Sequence, residues 1–159
     1  MQIQYQPPVT YPDASCQTAA AVMVNATSTF TIAGGPIQVI SLISECVTVD
    51  DTTASTLQWQ HNPTVGSAKT ISAASGSLAA AGTGAGATVT LNQTSLATAP
   101  DIVTAANGGV AIGANVANQM ILTAGVVKMV IGVGSTTGTW KHYLRYRPMG
   151  TNVTVTNNF

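Results

Sequence analysis

Two alternating runs sit back to back near the end of the chain and constrain everything that can be built around them. The first is Gly125 to Val133 and the second Thr139 to Pro148, with Gly134-Ser135-Thr136-Thr137-Gly138 between them. In the first run Val127, Met129, Ile131 and Val133 fall on one side, against Val126, Lys128 and Val130. In the second, Trp140, His142, Leu144 and Tyr146 oppose Thr139, Lys141, Tyr143, Arg145 and Arg147. Side chains two residues apart share a face in a strand but not in a helix, so both runs predict β-strands with one apolar side. The Gly-bounded link is of hairpin length, and the pair reads as a β-hairpin closed by Pro148. It holds four of the five basic residues and three of the eight aromatics. The outward side of the return strand is therefore a basic stripe, Lys141, Arg145 and Arg147, with Tyr143 inside it. Two readings stand side by side: a partner-binding face, or a solvated edge on which Lys and Arg discourage unwanted pairing.

The remaining chain is blander. Residues 1–28 carry Pro7, Pro8 and Pro12 among polar residues, which favours extended backbone and predicts an N-terminal arm. Ala19 to Val24 reads either as a first strand or as a helical turn. Thr29 to Ile32 alternates and stops at Ala33-Gly34-Gly35-Pro36, a turn signal. From Ile37 to Val49, Ile37, Val39, Ile43, Val47 and Val49 share one face while Ile40, Leu42 and Cys46 share the other. Apolar residues on both faces predict a central strand, covered on each side. Glu45, near its end, reads as a rim residue rather than a catalytic acid. Leu57, Trp59 and His61 share a face of a strand that ends at Asn62-Pro63. Short strands follow at Lys69–Ser72, Thr88–Leu91 and Gln119–Leu122, and Val153 to Val155 gives a last strand or a tail. The expected architecture is all-β, a β-sandwich or jelly-roll-like domain over 29–149, with little helix, an arm at 1–28 and a tail or strand at 150–159.

Charge narrows the function. Only 6% of the 159 residues are charged, against roughly 25% in an ordinary soluble domain. A surface of Thr, Ser, Asn, Gln, Ala and Gly is cheap to desolvate and suits a subunit packed against others. Net charge is zero, but no acid follows Asp101, so the last third is positive. Four cations are too few for a nucleic-acid binder and enough to dock on an acidic neighbour. No apolar run reaches the roughly 20 residues of a membrane span, and Met1 to Gln6 has neither the basic start nor the apolar run of a signal peptide. Cys16 and Cys46 lack metal spacing; two reduced, buried thiols are expected, with a disulfide as the alternative.

Catalytic and cofactor chemistry find no foothold. His61 and His142 each follow a tryptophan by two residues on a strand face and read as packed histidines, not zinc ligands. Asp50-Asp51 reads as a solvated turn, short of the oxygen ligands calcium needs. Gly82-Thr83-Gly84-Ala85-Gly86 lacks the Gly-Lys-Ser/Thr ending of a phosphate loop and sits in a loop of small residues over 73–87. No nucleophile-elbow pattern surrounds any serine. No catalytic, metal or cofactor residue is assigned. Trp59 and Tyr143 remain possible platforms for a sugar.

Three blocks carry a resemblance. Phe30-Thr31-Ile32-Ala33-Gly34-Gly35-Pro36-Ile37 runs on through Ile40 to Thr48. Leu57-Gln58-Trp59-Gln60-His61-Asn62-Pro63-Thr64-Val65-Gly66 follows, then an Ala/Gly-rich middle. The closing block is Gly138-Thr139-Trp140-Lys141-His142-Tyr143-Leu144-Arg145-Tyr146-Arg147-Pro148-Met149. Over about residues 30–149 the chain resembles small β-rich virion proteins of tailed bacteriophages, of the capsid decoration (cement) or head-fibre-base type. The resemblance implies a non-enzymatic structural protein on the outer capsid surface of the virion, bound to the major capsid protein, as a homo-oligomer with a trimer preferred. It implies no cofactor, no membrane and no direct nucleic-acid contact. The expected partner-binding residues are Pro7, Pro8, Tyr11 and Pro12 of the arm and Lys141, Tyr143, Arg145 and Arg147 of the stripe. The alternative is a carbohydrate-binding or adhesin-like module of a head or tail fibre.

Overall fold

The computed structural model describes residues 11–49, 53–79, 84–91, 120–133 and 138–159, together with the backbone of 101–103. Its strands are β1 (Ala14–Gln17), β2 (Ala21–Val22), β3 (Ser28–Ala33), β4 (Ile37–Thr48), β5 (Leu57–Pro63), β6 (Lys69–Thr70), β7 (Thr88–Thr90), β8 (Asp101–Val103), β9 (Met120–Leu122), β10 (Gly125–Ile131), β11 (Thr139–Pro148) and β12 (Thr154–Asn157). Among the described residues there is no helix. All pairings are antiparallel and fall into two sheets. One runs β1-β11-β4-β7-β8, with β2 also on β11 and β9 also on β4; the other runs β12-β3-β10-β5-β6. From β2 to β5, and again from β9 to β12, the chain changes sheet at every step. The apolar residues of both sheets meet in one buried cluster that includes Trp59, Trp140, Phe30, Leu42, Met129 and Leu144. The all-β sandwich expected from the alternation is therefore the fold.

The expected hairpin is not. β10 pairs with β3 and β5 in one sheet, while β11 pairs with β4, β1 and β2 in the other. Each strand has one apolar side, and two sheets must turn those sides toward each other to bury them. Placing the two strands in opposite sheets does this, with Val127, Met129 and Ile131 facing Trp140, His142 and Leu144 across one core. Val133, expected on the apolar side, lies past the end of β10 and is exposed.

β4 is central as expected, between β11 and β7, yet its two-face pattern has another cause. Arg145 stands opposite Ser41 and Tyr146 opposite Val39, so Ile40 is an extra residue at a bulge; a second lies at Val47, between Trp140↔Cys46 and Thr139↔Thr48. A bulge moves the alternation by one residue. Ile37 and Val39 face the core before it, and Leu42, Ser44 and Cys46 after it, while Ile43 and Glu45 point outward and are half-buried. Val47 and Val49 are exposed, not core.

Within the segment expected to be an arm, β1 lies on β11 from Ala14↔Tyr146 to Gln17↔Tyr143, and β2 continues along the same edge at Trp140 and Thr139. Thr18 and Met23 are buried, so this part of the chain belongs to the sandwich. Neither cysteine forms a disulfide. Cys16 sits opposite Leu144 and Cys46 opposite Trp140, on strands separated by β11. Two strand spacings put their Cα atoms about 10 Å apart at least, beyond disulfide reach.

The low-complexity stretch after β6 has a definite job. Beyond the two pairs of β6, the edge of β5 is closed by Ile71 N–H to the Trp59 carbonyl (2.9 Å) and Ser75 N–H to the Leu57 carbonyl (2.8 Å). In return the Ser72 and Ser75 hydroxyls accept the N–H groups of Trp59 (3.0 Å) and Leu57 (2.9 Å). Both serines are buried, so their hydroxyls stand in for the carbonyls of a missing strand. Ser72→Ala and Ser75→Ala each strand a buried N–H and are expected to cost about 1–3 kcal/mol in urea unfolding. Val65→Ala, at an exposed position, is expected to stay within about 0.5 kcal/mol.

Candidate functional site

β11 displays its two sides to two different media. Trp140, His142, Leu144 and Tyr146 are buried; Lys141 and Tyr143 are half-buried and Arg145 and Arg147 exposed on the outer face. The stripe read from the sequence is therefore real as a row of neighbouring side chains. What the sequence did not reveal is its partners. Asp13, one residue before β1, receives Arg147 Nε at 2.9 Å and Arg145 Nη2 at 3.3 Å. The β1 register, with Ala14 opposite Tyr146, places Asp13 beside both arginines. Its carboxylate is 28% exposed, while the two arginine side chains keep 60% and 50% of their surface open.

The upper half of the stripe is built the same way. Lys141 stands directly across from Glu45, and the Tyr143 hydroxyl donates to Glu45 Oε2 at 2.6 Å. The carboxylate beside it stabilises the protonated phenol, and with desolvation this pushes the Tyr143 pKa up to about 12. The outer face thus combines three cations with two carboxylates, and the positive excess of the last third of the sequence is offset by residues from the first third. Half of the chain's ten charged residues sit on this one face. Asp13, and Glu45, which the sequence places only as a rim residue, are the carboxylates of this face that sequence reasoning did not connect to the stripe. The one available signal was that all five acids precede Asp101 or include it, so any compensation of the late bases had to come from far upstream.

The other expected site residues divide. Tyr11 is half-buried and Pro12 exposed, immediately ahead of Asp13 and so beside the lower end of the stripe. Pro7 and Pro8 lie outside the described residues, as do Asp50 and Asp51. Trp59 and Trp140 are fully buried, which removes Trp59 as a sugar platform and leaves Tyr143 as the aromatic on the outer face of β11. No three His, Cys, Asp or Glu side chains converge among the described residues.

The opposite sheet shows a different surface. The outward side chains of β10 and β5 pair as Val126↔Asn62, Lys128↔Gln60 and Val130↔Gln58, with Thr31 of β3 beside Val126. That face is neutral and amide-rich apart from Lys128.

No family model matches the chain, and no match is found among curated proteins or among solved structures.

Two measurements test the Tyr143 site. In ultraviolet titration the Tyr143 phenol is expected to ionise near pH 12, and Glu45→Gln is expected to bring it down toward the ordinary value of about 10. Tyr143→Phe should cost about 1 kcal/mol of unfolding free energy, because the bond is only half-buried and its acceptor is charged.

Proposed function

We propose that the chain is a non-catalytic structural subunit that works by seating flat sheet faces on a larger assembly. The specific form we infer is a decoration protein on the outer head shell of a tailed phage, bound to the major capsid protein and arranged as a trimer at three-fold positions of the lattice. The observation that carries this reading is the concentration of charge. In a chain with 6% charged residues, half of them lie on the outer face of β1, β11 and β4, and the face of the other sheet is a lawn of amides, Thr and Val with one lysine. A neutral face is cheap to desolvate, and a compact patch of paired charges gives that docking a register and an orientation.

Arg145 and Arg147 are the residues proposed to meet the partner, because each spends one donor group on Asp13 and keeps others open to an acidic surface. Tyr11 and Pro12 border the same patch. The sequence resemblance to virion proteins of this kind supports the reading and names the partner. A carbohydrate-binding module is the weaker alternative, since Trp59 is buried and Tyr143 commits its hydroxyl to Glu45.

Co-sedimentation of the purified protein with capsids that lack it tests the proposal. Saturable binding that weakens as salt is raised is expected, with Arg145→Glu plus Arg147→Glu weakening it at least tenfold and lowering its salt sensitivity. A chain lacking residues 1–10 separates the contribution of Pro7 and Pro8. If neither the charge reversal nor the truncation changes binding, or if no binding occurs, the proposal fails. Retention on a glycan array, abolished by Tyr143→Ala, would favour the alternative.

A further inference from the structure

The stripe and the sheet faces leave several buried titratable side chains without a role, and of the two histidines among them His142 is the more deeply buried. His142 is on the inner side of β11, 1% exposed, where its Nδ1 lies 2.9 Å from Ser44 Oγ. The Trp59 indole meets its ring edge-on at 5.7 Å, and the Phe159 ring lies over it at 6.1 Å and 32°. Its main chain is held on the other side by Thr18, whose Oγ1 accepts the His142 N–H and whose own N–H donates to the His142 carbonyl, both at 3.0 Å. The ring is thus held by Ser44 and Trp59 of the sandwich and by Phe159, two residues past the end of β12.

β12 is a short strand at the edge of its sheet. It pairs with β3 over four residues, none of them buried. Its outward N–H groups reach the first sheet through side chains: that of Asn157 to the Cys16 sulfur and that of Val155 to the Tyr146 oxygen. Asn157 Nδ2 adds a bond to the Gln17 carbonyl at 2.7 Å. By contrast β11 is paired with β4 along its whole length. Water can reach His142 most cheaply by moving Phe159 and β12.

The groups facing His142 make its protonation costly. From β4 come Ser44 and the Cys46 thiol; from β5, Trp59 and, farther along, His61; from β1, Cys16; and from β11 itself, Trp140, Leu144 and Tyr146. None of these carries a negative charge at acid or neutral pH, since burial pushes the Cys16 thiol and the Tyr146 phenol up. An imidazolium would have two N–H donors, of which Ser44 can accept one, and a charge that burial penalises.

We propose that β12 is an acid-released latch: protonation of His142 expels Phe159 and frees β12 from the edge of β3, while β11, β4, β10 and β5 stay paired. The inference is independent of the proposed docking function. Its sign follows from linkage. Burial alone lowers the His142 pKa from 6.5 to about 4. Above about 6.5 the ring is neutral whether the latch is closed or open, and closure has its full strength. As the pH falls from there toward 4 the open state takes up the proton first, so closure weakens across that window and levels off below it.

Hydrogen exchange followed by NMR on the full chain reads this directly. The reporter is the Asn158 N–H, which bonds the Thr29 carbonyl at 3.1 Å. Its protection factor is expected to fall more than tenfold between pH 7 and pH 4.5, while that of Leu91 N–H, bonded to the Leu42 carbonyl, holds. His142→Gln, neutral throughout, is expected to remove the pH dependence, and Phe159→Ala to open the latch already at pH 7. Should His142→Gln fail to fold, the imidazole resonances of the wild-type chain serve instead: their midpoint must lie below 6.5 and coincide with the loss of Asn158 protection. The proposal is overturned if Asn158 and Leu91 lose protection together, which would indicate global unfolding. It is overturned equally if Asn158 protection does not change with pH, or if His142→Gln keeps the wild-type response.

Discussion

The fold depends on one constraint: two strands adjacent in the chain, each with a single apolar side, must face each other rather than lie side by side. β10 and β11 meet this by entering opposite sheets. Once they do, β10 needs neighbours on both edges and takes β3 and β5, and β11 takes β4 and the β1–β2 edge. The alternation between sheets along β2 to β5 follows from the same requirement. Even the tight spots serve it. A side chain at Gly125, where β10 begins, would run into the Asn62 carbonyl and come within 2.6 Å of the Pro63 Cα, so only glycine lets β10 close against β5 there.

Local pattern was legible where it is local. The alternation of β10, β11 and β5 named their buried sides correctly, and Trp59, Trp140, His61 and His142 are packed as read. Two things were not legible for physical reasons. Period two states which side of a strand is apolar but not which strand lies beside it, so the Gly134 to Gly138 link suggested a hairpin that the sandwich does not contain. A bulge has no composition of its own, so β4 appeared apolar on two faces when Ile40 merely shifts the alternation of a strand with one. The serine contacts of residues 71–75 were hidden in the same way. A stretch of Ala, Gly and Ser carries no periodicity, and only its position against β5 gives Ser72 and Ser75 their task.

The charge pattern makes sense on the same terms. Arg145 and Arg147 point to one side of β11 and would repel each other there, and Asp13 relieves that repulsion from more than a hundred residues away in sequence. Exposed pairs of this kind contribute little to stability, on the order of 1 kcal/mol or less. Their weight lies in fixing where charge appears on an otherwise neutral surface. The same holds for Glu45, which accepts a hydrogen bond from a tyrosine and faces a lysine.

How the sandwich guards its borders decides how it can associate. Edge strands usually discourage stray pairing with charged side chains, and this chain has few to spend. It closes its edges with neutral polar side chains instead: Ser72 and Ser75 on β5, Thr18 between β1 and β2, and Cys16 with Tyr146 on β12. Main-chain groups answered in this way offer no ladder to a neighbouring molecule. Association through strand addition is thereby disfavoured at these borders. One of the two sheet faces is neutral and amide-rich and the other holds the charges. Under the proposed function, a subunit of this construction would lie flat on its assembly, with the Asp13–Arg145–Arg147 patch setting the orientation in which it lies.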